Sequence, residues 1–237
     1  MIGPNLQKTI YISDAKEAYD KAAPFYDDRD WMKFWINNEV PLIMSHLSRS
    51  RFERILEIGS GTGLYTTKLV KMCRELVAVD PSKGMSDILE SKLPVDKEKL
   101  KIINIPWPKN NFKEETFDLV FSSRTLCSIN DINGAIHEIL RVAKRGGTIL
   151  LCDLHPDYNI EYCTLKNKDS GLKIKIPFYK HNLQDIHKIL QKACSSVQID
   201  EIYLEDFNYL PLNNDSFKEA FNNKDKPLIY LMKAVKS

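Results

Sequence analysis

The run Ile55-Leu56-Glu57-Ile58-Gly59-Ser60-Gly61-Thr62-Gly63-Leu64-Tyr65 constrains this chain's fold more than any other segment. An apolar strand runs into an acid and then into three glycines at alternate positions. Glycine has no Cβ, so it tolerates φ > 0 and lets the backbone touch a bound molecule. Three of them directly after a strand predict a tight strand-to-helix turn shaped around a ligand. The dinucleotide fingerprint needs a small helix-packing residue three positions after its second glycine. Leu64 stands there, so that reading fails.

The rest of the sequence surrounds this turn with the pattern of one α/β domain. Apolar strands are predicted at about 54–58, 76–79, 100–104, 117–121 and 148–152, separated by helical spacing over 62–73, 83–91 and 131–142. Within the last of these, Ile132, Ile136, Ile139 and Leu140 share one face, and Gly146-Gly147 is read as its end. Strands that are unbroken apolar runs imply a parallel sheet covered on both faces. Beyond Asp153 a strand is expected at 172–178, a helix at 183–193, and two consecutive strands at 196–203 and 228–235. Residues 14–47 carry helical spacing with many aromatics, broken at Pro24 and Pro41, and read as two or three short helices.

Composition excludes several classes of function. The chain has 237 residues, 43% of them hydrophobic and 28% charged, as in a soluble globular protein. No segment approaches the roughly 18 apolar residues of a membrane span. Met1 to Asp14 lacks the apolar run of a secretory signal, so a cytoplasmic location is expected. Five scattered cysteines without Cys-x-x-Cys spacing argue against a disulfide framework and a structural zinc site. Asp153, His155 and Asp157 are neighbours in sequence, but alternation is not coordination, and no metal is predicted. A net charge of +2 weighs against nucleic acid as a partner, and the basic stretch Lys166 to Lys175 reads as a solvated hairpin face.

Taken with Val77-Ala78-Val79-Asp80-Pro81-Ser82, the glycine run resembles the first two motifs of the class I S-adenosylmethionine-dependent methyltransferases. The resemblance implies a Rossmann-like, doubly wound, seven-stranded and mostly parallel sheet. Its last strand runs antiparallel between the fifth and sixth. It divides the chain into an N-terminal helical lid over 1–48 and an S-adenosylmethionine-binding domain over 49–237, with a substrate-covering insertion near 155–180. Gly59, Ser60, Gly61 and Gly63 would lie under the methionine part of the cofactor. Asp80, followed by Pro81, would hold the ribose diol; a carboxylate at a strand end can accept two charge-assisted hydrogen bonds from vicinal hydroxyls. The plain alternative for Asp80 is a turn or helix-capping residue.

The same resemblance extends to weaker positions. The family's adenine-contacting acid falls here on Pro106, so recognition of adenine is assigned to the backbone of Ile105 to Trp107 with a stacked Trp107; the alternative is that Trp107 is core. Asn104-Ile105-Pro106-Trp107 invites comparison with the Asn-Pro-Pro-aromatic motif of amino-group methyltransferases, but that motif follows the fourth strand and this one the third. Ser122 is expected against the cofactor, and Met85 against adenine or in the core. Glu57 is read as accepting backbone N–H groups or the cofactor's ammonium, or as a structural cap. Tyr19 and Tyr26 are read as lid residues that bind the cofactor's carboxylate or pack the lid.

Transfer from a sulfonium needs little beyond alignment of the nucleophile with the methyl group, while a hydroxyl acceptor gains from a general base. His155, just past the fifth strand, is the candidate base, with His181 second; a structural histidine is the alternative. The expected activity is methyl transfer to an oxygen or nitrogen of a small molecule. The alternatives are a peptide, protein or RNA acceptor, and a non-catalytic cofactor-binding subunit.

Overall fold

A computed structural model describes residues 8–47, 51–93, 98–158, 160–167, 169–209 and 222–237. After β1 (Thr9–Tyr11) come three helices, α1 (Ala15–Ala22), α2 (Asp30–Asn37) and α3 (Glu39–Leu47). The alternating part follows as β2 (Phe52–Ile58), α4 (Thr66–Leu69), β3 (Cys73–Val79), α5 (Lys83–Lys92), β4 (Leu100–Ile103), β5 (Phe117–Ser123), α6 (Ile132–Val142) and β6 (Ala143–Leu154). The chain continues through β7 (Tyr162–Lys166), β8 (Lys173–Pro177), α7 (Leu183–Gln191), β9 (Cys194–Tyr203) and β10 (Pro227–Lys236). The expected boundary between 48 and 49 lies outside the described residues.

Seven strands form one sheet in the order β4-β3-β2-β5-β6-β10-β9. All pairings from β4 to β6 are parallel, and β10 lies antiparallel between β6 and β9, as expected from the sequence. Alternation along the strands decides which residues face which layer. Ile55, Leu76, Leu119, Phe121 and Leu150 join a core with Ile43, Leu47 and Leu69 from the N-terminal and first crossover segments. Leu56, Val77, Val120, Ile149 and Leu151 face the other way and pack on Ile136 and Ile139 of α6 and Ile186 of α7. Each such aliphatic side chain contributes about 1.5–3 kcal/mol when fully buried.

Two local expectations are corrected. The helix expected over 62–73 is reduced to the single turn α4 and a 3-10 turn at Val70–Met72. Gly63 holds φ +88°, and Cys73 already pairs with Phe52 in the ladder, so the helix is clipped at both ends. Gly146-Gly147 does not end α6, which stops at Val142; both glycines lie inside β6. There Gly146 takes φ +72°, and the register jumps from Phe117 opposite Ala143 to Leu119 opposite Thr148, so the glycines absorb an irregularity in the strand.

A second, three-stranded sheet in the order β1-β8-β7 is not foreseen by the sequence reading. β1 pairs parallel with β8 and β7 antiparallel with it, so the front segment and the expected insertion share one sheet. Its inner face packs with Ala18, Ala22, Phe25 and Met85, seating this cap on α1 and α5.

Candidate functional site

β2, β3 and β5 end at the same edge of the sheet, with Ile58 opposite both Val79 and Ser122. The chain leaving each strand there turns around one cavity of about 420 Å³, within the range of about 300–1,000 Å³ usual for small-molecule sites. The glycine turn is stitched to β3: Gly59 and Ser60 donate backbone N–H bonds to the Val79 carbonyl at 2.7 and 3.2 Å. Gly59, Gly61 and Gly63 all have positive φ (75°, 51° and 88°), which explains the alternate glycines. A Cβ on Gly59 would sit 1.9 Å from Thr125 Oγ1, whereas one on Gly61 would meet nothing within 4 Å. Gly59 is therefore closed by the protein itself, and Gly61 presents open backbone. Gly59→Ala is expected to lower stability by about 1–2 kcal/mol from the left-handed conformation alone, with more from the clash; the melting temperature measures it.

Two buried acids frame the turn. Glu57 accepts a 2.7 Å hydrogen bond from Thr66 Oγ1 and borders the cavity. Burial, offset in part by that bond, pushes its carboxyl up to about 8. Asp80 accepts from the backbone N–H groups of Gly61 and Ser82, both at 2.8 Å, while burial raises it to about 6. Asn104 steadies this corner through bonds from Nδ2 to the Asp80 carbonyl at 3.0 Å and to Ser86 Oγ at 2.7 Å.

The cap closes over these loops through its own acids. Asp20 accepts from Ser82 Oγ at 2.6 Å and from Gly84 N at 3.0 Å, and Asp27 accepts from Thr62 Oγ1 at 2.6 Å. Tyr19 and Tyr26 meet edge to face at 6.0 Å and border the cavity.

The cavity brings together Tyr19, Tyr26, Glu57, Gly59, Ser60, Gly61, Asp80, Pro81, Pro106 and Trp107 of the residues singled out from the sequence. Trp107 is 7% exposed, packs in the core and donates its indole N–H to the Ala135 carbonyl at 3.2 Å, so its ring is fixed by the protein. Gly63, Met85, Ser122 and His155 lie outside the lining. Ser122 is fully buried and donates to the Ile58 carbonyl at 3.2 Å; its strand position places it between β2 and β6, and Ser123, Arg124 and Thr125 face the cavity instead. Met85 is held in the core beneath the cap. His155 is 3% exposed: its Nδ1 accepts from Asp157 N at 3.1 Å, which leaves Nε2 to donate toward Glu201 at 3.4 Å. Both ring nitrogens are thus engaged away from the cavity, which corrects the expectation of a base at its mouth. His181 also lies outside the lining, with Nε2 against the Leu126 carbonyl at 3.0 Å.

A buried cluster on the β5 side of the cavity leaves little trace in the sequence. Glu39, fully buried on α3, accepts from Ser123 Oγ at 2.6 Å, Tyr65 Oη at 2.5 Å and Arg124 Nε at 3.2 Å. Burial, the largest single influence, works against the charge of Arg124, but Glu39 together with Tyr26, Tyr65 and Cys152 outweighs it and keeps the guanidinium protonated. Arg124 has φ 50°, an uncommon conformation for a side chain of its size. The one trace of this cluster in the sequence is a long cation interrupting Ser122-Ser123-Arg124-Thr125, a strand exit otherwise made of small polar residues.

A family model described as a methyltransferase domain matches residues 56–151, from within β2 through most of β6. The chain is similar to the demethylmenaquinone methyltransferase of Clavibacter sepedonicus, with 31% identity over 101 residues that cover 43% of this chain and 41% of that protein. It is also similar to malonyl-(acyl-carrier protein) O-methyltransferase 1 of Ilyobacter polytropus, with 24% identity over 220 residues, 92% of this chain and 74% of that protein. Matches to the first curated relatives span about half or less of those proteins' lengths. Among solved structures, the N-methyltransferase NodS of Bradyrhizobium japonicum in complex with S-adenosyl-L-homocysteine aligns with a TM-score of 0.61 at 15% identity. That alignment covers 94% of this chain and 99% of the other and speaks for the fold.

Proposed function

Because this chain carries a class I S-adenosylmethionine-dependent methyltransferase domain, we propose that it is a cytoplasmic enzyme moving the methyl group of S-adenosylmethionine to an oxygen or nitrogen of a small-molecule acceptor. The observation that carries this reading is the pairing of two buried acids with an open glycine backbone around one cavity. Gly61, where a Cβ would enter empty space, leaves room for a ligand to lie on the backbone. Glu57 is a buried carboxyl without a cationic partner in hydrogen-bond reach among the described residues, suited to an ammonium. Asp80 uses each carboxylate oxygen for one backbone N–H and retains lone pairs for a ribose diol.

Bound S-adenosylmethionine would supply an electrophilic methyl group. The chain's part is then to orient and to exclude water. Tyr19 and Tyr26 from the cap, anchored through Asp20 and Asp27, cover the cavity. Ser123, Arg124 and Thr125 at the end of β5 border its other side, where an acceptor would approach. Among the described residues no histidine lines the cavity, so the proposal rests on alignment and not on His155 as a base. The cavity size supports a small acceptor, and the malonyl-(acyl-carrier protein) relative motivates including carboxylates among the candidates. Unpaired cysteines accord with a reducing compartment.

Calorimetric titration with S-adenosylmethionine and S-adenosylhomocysteine tests the proposal directly. Saturable one-to-one binding, followed by methyl gain in a mass-spectrometric screen of small-molecule acceptors, is the expected result. Failure of folded protein to bind either compound defeats it.

A further inference from the structure

Among the described residues, the Arg124 guanidinium is tethered on one edge only. Its Nε donates to Glu39 at 3.2 Å, and the group sits 4.8 Å from the centroid of the Trp35 ring, so its plane is held from α2 and α3. Among the described residues, no hydrogen bond from either terminal nitrogen, Nη1 or Nη2, is formed with the protein. Its side chain is 15% exposed and borders the cavity. A guanidinium carries five N–H donors in a rigid fork, and the Nη edge matches two oxygens of a carboxylate or phosphate. Donors that face the cavity with no protein acceptor leave hydrogen-bonding capacity that an occupant with matching acceptors can satisfy.

Position along the sheet separates this group from the expected cofactor-binding acids. Asp80 directly follows β3 and Glu57 lies at the end of β2, just before Ile58, whereas Arg124 directly follows β5, the next strand along the edge. The cofactor acids thus sit on one side of the cavity and the arginine on the other, beside Phe121 and Tyr65, which meet at 5.0 Å. We infer that Arg124 is a specificity residue that binds an anionic group, carboxylate or phosphate ester, on the methyl acceptor, with Glu39 as its positioning residue. The inference rests on the methyltransferase reading above and narrows its acceptor to an anion carrying an apolar or aromatic body.

The test titrates protein saturated with S-adenosylhomocysteine with benzoate, phenyl phosphate and the neutral benzamide. The expected result is saturable binding of at least one anion, at least tenfold tighter than benzamide; the two anionic arms tell carboxylate from phosphate. Arg124→Lys keeps a cation beside Glu39 but removes the fork, and should abolish most of that preference while S-adenosylhomocysteine affinity stays within about twofold. If R124K does not fold, the double variant Arg124→Gln with Glu39→Gln leaves no buried charge unpaired and answers the same question. Equal binding of benzamide and the anions, no binding of any probe, or an anion preference that survives substitution overturns the inference. So does a large loss of S-adenosylhomocysteine affinity in R124K, which would assign the arginine to the cofactor's carboxylate. Wild-type protein that fails to bind S-adenosylhomocysteine defeats the methyltransferase reading and this inference together, whereas cofactor binding without anion preference defeats this inference alone.

Discussion

Replacing Asp80 by alanine is expected to weaken S-adenosylhomocysteine binding by about 100-fold or more while leaving the sheet intact. Two hydrogen bonds from ribose hydroxyls to an ionised carboxylate are worth about 1.5–3 kcal/mol each, and about 1.4 kcal/mol is a factor of ten in affinity. The substitution also releases the Gly61 and Ser82 N–H groups, each now 2.8 Å from an Asp80 oxygen, so the glycine turn loses an anchor at the place where it would cradle the ligand. Asp80→Asn keeps an acceptor oxygen and should lose less than the alanine variant. Calorimetry gives the affinities and circular dichroism the fold; an alanine variant that binds as wild type would remove Asp80 from the site.

The second large effect is a proton released on binding. With its carboxyl pushed up to about 8 by burial, Glu57 is mostly protonated at pH 7 in the empty protein. A cofactor ammonium brought beside it favours the carboxylate, so binding at pH 7 should expel close to one proton. Calorimetry in buffers of different ionisation enthalpy reads this as a buffer-dependent heat, and Glu57→Gln should abolish it. A buffer-independent heat in wild type would show that Glu57 does not face the ammonium.

The same group sets the direction of the pH dependence of stability in the empty protein. The folded state holds a proton at about 8 that the unfolded chain loses near the ordinary 4.5. Between those values the folded state binds more protons, so stability falls as pH rises through that window. Asp80, raised from 3.8 to about 6, acts in the same direction over its lower range. The loss from Glu57 is on the order of a few kcal/mol, and Glu57→Gln should flatten the curve of melting temperature against pH above about 5. A wild-type curve that rises over this range would contradict the burial of both acids.

Much of the architecture was legible because it is written in local periodicity. Ile55, Leu56, Leu119 and Val120 belong to apolar runs that only a sheet covered on both faces can bury, and the alternating glycines at 59, 61 and 63 each occupy a left-handed position. Asp80 stands out because an acid directly after a buried strand is conspicuous in sequence. Less was legible wherever two distant segments meet. Thr9–Tyr11 carries no strand signal beyond three residues, and becomes a strand only because β8 offers it a partner 164 positions away, Thr9 beside Lys173.

The site shows the same division. His155 follows a strand at the correct edge, but its ring turns toward Asp157 and Glu201, a direction set by the packing of β9 and beyond the reach of local pattern. Glu39 reads as an ordinary helical acid until folding carries it over the end of β5, where Tyr65, Ser123 and Arg124 converge on it. The sequence by itself determined the doubly wound sheet and the glycine turn, because hydrophobic period and backbone conformation are properties of neighbouring residues. Only the tertiary structure decided which charges line the cavity and which are spent on the scaffold, because a side chain's partners and its burial depend on residues that the chain brings together from far apart.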